Sequence, residues 1–207
     1  MSLLSAERVV IALSPAQDSV GEQEPWRGAL EDLARKVAAL RARAEVTVVL
    51  SNHFVRYAVL PAQDGGATPE EELALARFQF AKIHGERAKA WDVRVSPEGE
   101  GAQLACAIDA ALLEGIKACF AKNRKARLAS VQPFLMAAFN QSRRKIPGEG
   151  AWLLLAERSR TCLARVAAKG WASVHNGRET DADELLEQER SRASGERLPT
   201  LILRHQL

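Results

Sequence analysis

The sequence is poor in the features that announce a chemistry. Its three cysteines, Cys106, Cys119 and Cys162, lie far apart with no CxxC pair. That spacing argues against a disulfide framework and a zinc site, and it favours a reducing compartment. The thiols read as small buried apolar residues. His53, His84, His175 and His205 are isolated, and no two have metal-ligand spacing. There is no GxGxxG, no GxxxxGKS/T and no GxSxG. No apolar run approaches the roughly 18 residues that a membrane span requires. The start, MSLLSAERVVIAL, lacks the basic opening and cleavage site of a signal peptide and reads as a strand. Aromatics make up only 5% of the chain, which disfavours the stacking platforms of nucleic-acid binders. The net charge of +3 permits an acidic partner without demanding one.

What is present is an ordinary globular composition, 47% hydrophobic and 27% charged over 207 residues. That is enough for one domain with a substantial core. The expected domain is 1–207, with lobes 1–108 and 109–207 as an alternative division. Residues 8–13 are apolar and β-branched, hence a strand. Pro25 fits the first turn of a helix. Leu30, Leu33, Ala34, Val37 and Leu40 then recur at helical spacing, which predicts a helix to about Arg43. Next comes VTVVLSNHFVRYAVLP, residues 46–61, read as a hairpin whose strands 46–50 and 54–60 flank the polar break Ser51-Asn52-His53. Asp64-Gly65-Gly66 marks a turn. Thr68-Pro69-Glu70-Glu71 is a capping box with proline at the first helical position. The helix it starts is expected to bury Leu73, Ala76, Phe80 and Ile83 and to stop at Gly85.

Residues 91–95 and 103–108 read as a further hairpin. Asp109 caps a helix with Leu112, Leu113, Ile116 and Phe120 inward. A short strand at 126–131 precedes a helix that opens at Pro133, and QSRRKIPGEG reads as a basic loop. Three strands follow at 151–156, 161–167 and 171–175, with turns at Arg158-Ser159 and Lys169-Gly170, as in a meander. Thr180 and Asp183 start a last helix, and 199–203 closes the chain as a strand. Alternating strands and helices exclude a helical bundle and a β-sandwich, and predict an α/β fold with a mixed sheet covered by helices.

This plan resembles the ribonuclease-H-like, actin-like ATPase fold. Within it, the chain is similar to the actin-like proteins of bacterial pilus and secretion machines: the PilM protein of type IV pilus assembly and the cytoplasmic domain of the type II secretion L protein, GspL. The likeness rests on VVLSNHFVRYAVLP, in the place of the first phosphate loop, and on LASVQPFLMAAFN followed by AWLLLAERSRTCLARVAAKGWASV, in the place of the helix and second phosphate hairpin. It runs from about Val46 onward. Both loops depart from the pattern. The first needs an acid at the strand end and a glycine that lets backbone amides close on phosphate. Val49 and Ser51 stand there instead. In the second, Ala156-Glu157-Arg158 replaces Asp-x-Gly, and no glycine follows until Gly170.

If nucleotide binds, the resemblance places it at Ser51, Asn52, His53, Arg56 and Glu157. The plainer reading of the break is that Asn and His tolerate a tight turn's unusual dihedrals. Asp92, Asp109 and Glu157 are the carboxylates a two-metal nuclease site would have to recruit, and none sits at the centre of strand 46–50. The basic groups Lys122, Arg124, Lys125 and Arg127, and then Arg143, Arg144 and Lys145, lie at helix ends. There they match the helix dipole or form a patch for phosphate, acidic lipid or acidic protein. The expectation is a non-enzymatic scaffold or adaptor with no catalytic residue, metal or cofactor. It would be cytoplasmic and peripheral at the inner membrane through a protein partner, such as the tail of an inner-membrane assembly component. The alternatives are an Mg-ATP-binding protein with weak ATPase activity, or a nucleic-acid-associated protein using the basic groups.

Overall fold

A computed structural model describes residues 7–15, 26–40, 43–62, 66–96, 101–121, 123–178, 181–193 and 199–204. The strands fall into three sheets rather than one. The first joins β1 (Glu7–Leu13), β2 (Ala44–Leu50) and β6 (Ala126–Pro133), all parallel, with β2 central. Parallel neighbours need long crossovers, supplied by α1 (Arg27–Ala38) between β1 and β2. That helix stops at Ala38, short of the expected end, and Ala34 is exposed. Pro25 lies outside the described residues.

Ala29, Leu33 and Val37 of α1 pack with Leu112, Ile116 and Phe120 of α3 (Ala110–Ala121) over Ile11, Leu13, Val46, Val48 and Leu50. Asp109 caps α3 as expected, its Oδ1 accepting the Ala111 N–H at 2.9 Å.

The second sheet is antiparallel, in the order β3 (Val55–Leu60), β5 (Gln103–Asp109), β4 (Trp91–Val95). So the stretch 46–60 is not a hairpin. β2 and β3 leave the Ser51-Asn52-His53 break into different sheets. α2 (Pro69–His84) covers this sheet through Ala76 and Phe80, against Ala58, Leu60, Val93, Ala105 and Ala107. Its start is the predicted capping box: Thr68 Oγ1 accepts the Glu71 N–H, and Glu71 Oε2 accepts the Thr68 N–H at 2.8 Å. It ends at Gly85, in the left-handed region at φ 61°. Ile83, expected inward, is 69% exposed.

The third sheet contains the meander β7 (Gly150–Glu157), β8 (Arg160–Ala167) and β9 (Gly170–Gly177), with β10 (Thr200–Arg204) parallel to β7 on its other side. β7 is buried on both faces, as its unbroken apolar run requires. Side chains alternate along a strand. Accordingly Leu153 and Leu155 meet Phe134, Leu135 and Ala138 of α4 (Phe134–Ser142), while Trp152 and Leu154 meet Leu185 and Leu186 of α5 (Ala182–Arg192). Gln141 and Ser142, read as loop, end α4, and Arg143–Lys145 add a 3-10 turn. The cap of α5 is Asp181, whose side chain accepts the Asp183 and Glu184 N–H groups. Thr180 lies outside the described residues.

The α4-side core also takes in Val49 of β2 and Leu104 of β5, with Tyr57 and Val59 of β3 packed on it. This one cluster holds the three sheets together. At Gly170, φ is 122°, and a Cβ there would lie 2.4 Å from the Ala102 carbonyl oxygen. The third sheet therefore docks on the second at a point only glycine can occupy. The sheets do not divide at 108/109, because β6 joins β1 and β2 across that point.

Candidate functional site

β2 ends beneath the polar break. Ser51 N–H continues the ladder to the Leu13 carbonyl at 2.9 Å, and Phe54 N–H closes a turn on the Ser51 carbonyl at 3.0 Å. Ser51 Oγ accepts the His53 N–H at 3.2 Å. No residue of the turn has a positive φ, so the turn requires no glycine. The unusual dihedrals expected of Asn52 and His53 do not occur. The left-handed residue is Ser159 instead, at φ 57° on the tip between β7 and β8.

That tip and the turn lie against each other. Glu157 Oε2 accepts the Asn52 backbone N–H at 2.9 Å, and His53 Nε2 bonds the Arg158 carbonyl at 2.9 Å. Asn176 of β9 clamps the far side, its Nδ2 donating to the carbonyls of Asn52 at 2.9 Å and Val55 at 3.0 Å. Tyr57 donates its hydroxyl to Asn52 Oδ1 at 2.8 Å. Ser51 and Asn52 are both fully buried. Arg56 donates to the carbonyls of His53 and Val55. The structure thus brings Ser51, Asn52, His53, Arg56 and Glu157 together although 105 positions separate Asn52 from Glu157.

Electrostatics follow from burial. Burial pushes the Glu157 carboxyl above its ordinary range, against the opposing pull of Ser51, Asn52 and Arg160. Burial lowers the His53 pKa, and Arg160, Arg178 and Arg56 lower it further. His53 is therefore neutral at pH 7, and its bond to the Arg158 carbonyl places the proton on Nε2. Arg56 is itself lowered by burial and by the positive charges of Arg160 and Arg87. Tyr57, Cys106 and Cys162 are all raised by burial, Cys106 to about 11, so neither thiol is a ready nucleophile.

The turn's Asn52 N–H is already engaged within the protein. A phosphate cradle needs free backbone N–H donors, and the Asn52 N–H already points at a carboxylate. A phosphate there would meet the Glu157 carboxyl group. Among the described residues no group of three His, Cys, Asp or Glu side chains is placed to hold a metal ion. Asp92 is paired with Arg94 at 2.8 Å and Asp109 is used as a cap, so neither joins Glu157.

Sequence reading missed Tyr57, Asn176 and Arg160. The one local signal was Asn176, a polar amide near the end of an otherwise apolar meander strand.

The sequence matches no protein-family model and no curated protein. Solved structures do match. One is the cytoplasmic domain of EpsL, an inner membrane component of the type II secretion system of Vibrio cholerae, with a TM-score of 0.56 at 14% identity, covering 97% of this chain and 82% of that one. A second is the PilM–PilN type IV pilus biogenesis complex, with a TM-score of 0.52 at 16% identity, covering 80% of this chain and 52% of that one. A third is a Bacteroides thetaiotaomicron protein with an actin-like ATPase fold and unknown function, with a TM-score of 0.56 at 8% identity, covering 86% of this chain and 66% of that one. The chain has the actin-like ATPase fold. It spans about half of the PilM–PilN chain it matches. In this actin-like fold the two loops named from the resemblance do meet, and they meet as protein against protein. No helix among the described residues is long and apolar enough to cross a membrane.

Proposed function

We propose that this chain is a non-catalytic, actin-like scaffold or adaptor of an assembly of the type II secretion or type IV pilus kind. In this reading it is cytoplasmic and is held at the inner membrane by the tail of a membrane component. The observation that carries the reading is the Glu157 carboxylate on the Asn52 N–H, with Ser51 and Asn52 fully buried. An internal carboxyl group takes the place of the phosphate, so the junction serves architecture. The machinery comes from the likeness to EpsL and to PilM in its complex with PilN.

The test is titration of Mg-ATP, and ADP alongside, followed by heat and by melting temperature. A ligand at a hundred times its Kd stabilises by about 2.7 kcal/mol, a clear shift in melting. The scaffold reading expects no heat and no shift from the turn. A shift that disappears in His53→Ala, with the fold intact, would establish the nucleotide-binding alternative.

A further inference from the structure

At the opposite end of the first sheet, the starts of β2 and β6 and the end of α3 enclose a cleft of about 530 Å³. Arg43, Lys117, Arg124, Lys125 and Arg127 line it, with Glu45 as the single carboxylate among the described lining residues. Glu45 is committed to Arg127, whose hydrogen bond and charge hold it below the usual carboxylate range. Lys117 is paired outward with Glu114 at 2.7 Å. Arg43, Arg124 and Lys125 are exposed and have no ion-pair partner among the described residues. Phe120 and Leu128 add an apolar wall.

The segment carrying Arg124 and Lys125 is locked in place. Asn123 donates its Nδ2 to the Val37 carbonyl at 3.1 Å, and its Oδ1 accepts the Lys125 and Ala126 N–H groups at 2.8 and 3.2 Å. The Lys125 carbonyl accepts the Ala44 N–H at 2.8 Å. Cations after a helix C-terminus answer the helix dipole. That does not account for Arg43, which comes from the start of β2, nor for a concave wall with an aromatic ring in it. Preorganised cations beside apolar surface match a charge-dense anion carried on a less polar body.

We propose that this cleft binds a phosphate ester, the phosphate meeting Arg43, Arg124 and Lys125 and the body of the ligand resting on Phe120 and Leu128. The same chemistry is offered by a soluble phosphorylated metabolite and by a phospholipid headgroup, and two arms separate them. In one, glycerol 3-phosphate and adenosine 5′-monophosphate are titrated into the purified chain at low salt. In the other, the chain is sedimented with phosphatidylcholine vesicles with and without phosphatidylglycerol.

Binding is expected in at least one arm, weakened at physiological ionic strength and at least about tenfold in the Arg124→Ala, Lys125→Ala double variant. Arg43→Ala, on a different element, is expected to weaken it too, which guards against a purely local effect. Absence of binding in both arms overturns the proposal. So does wild-type binding by the double variant, or a marked preference for duplex DNA or an acidic peptide. Because ATP also carries phosphates, its titration is repeated on the double variant. Nucleotide binding that survives there belongs to the Ser51–Asn52–His53 turn and counts against the scaffold reading alone.

Discussion

The two ends of the first sheet are opposites. At the carboxyl ends of the strands, where open α/β sheets usually bind their ligands, the turn after β2 is shut. Its N–H is spent on Glu157, its carbonyls on Asn176 and its amide oxygen on Tyr57. At the amino ends, Arg43, Arg124 and Lys125 line an open cleft with no ion-pair partner among the described residues. Both ends are polar and both are held by hydrogen bonds. They differ in whether the protein supplies its own counter-charge. Where it does, the polar groups of the turn are engaged within the protein. Where it does not, the charge remains available to something else.

The largest expected effect comes from beneath the closed end. Leu155 is fully buried in the cluster that unites the three sheets. Leu155→Ala is expected to cost about 2–5 kcal/mol by chemical denaturation, through lost contacts and a cavity. A smaller loss would mean that the sheets hold together without this cluster.

Next is the joint itself. Glu157→Ala strands the buried Asn52 N–H and is expected to cost about 1–3 kcal/mol, whereas Glu157→Gln keeps an acceptor and costs less. Equal losses would show that the carboxylate oxygen is not what holds the turn.

The same residue sets a pH dependence. Its folded pKa is raised, so the folded state holds the proton more tightly than the unfolded chain. The stability linked to that proton is complete below the ordinary carboxylate value of 4.5 and is lost as pH rises through the folded pKa. Urea midpoints measured across that window are expected to fall with pH in the wild type. The slope should flatten in Glu157→Gln, and an unchanged slope would place the effect elsewhere.

The smallest effect belongs to the open end. Arg124 and Lys125 are exposed and have no ion-pair partner among the described residues, so the double alanine variant is expected to change stability by less than about 0.5 kcal/mol. A larger loss would make the cations structural and erase the contrast between the two ends.

Local order was legible wherever a short segment carries its own reason. The Thr68 capping box, the Asp109 cap and the meander with its tight turns all follow from hydrogen-bonding chemistry within a few residues. The failures were questions of partnership. Adjacency predicts a hairpin of strands 46–50 and 54–60, the commoner outcome. Yet Val46, Val48, Val49 and Leu50 are all buried, the pattern of a central strand with neighbours on both sides. Periodicity places Ile83 inward, but α2 rests on its sheet through a narrow stripe of Ala76 and Phe80.

By itself, then, the sequence determined the elements, most of their ends, the absence of an acid and a glycine in the first loop and the absence of a glycine in the second, because these depend on side chains a few positions apart. Only the tertiary structure decided that Glu157 would fill the place of an anion at Asn52, and that Arg43 would join Arg124 and Lys125 around one cleft. Those meetings depend on which strands pair and where each sheet docks, and that choice is made by the shared core, over distances no local pattern spans.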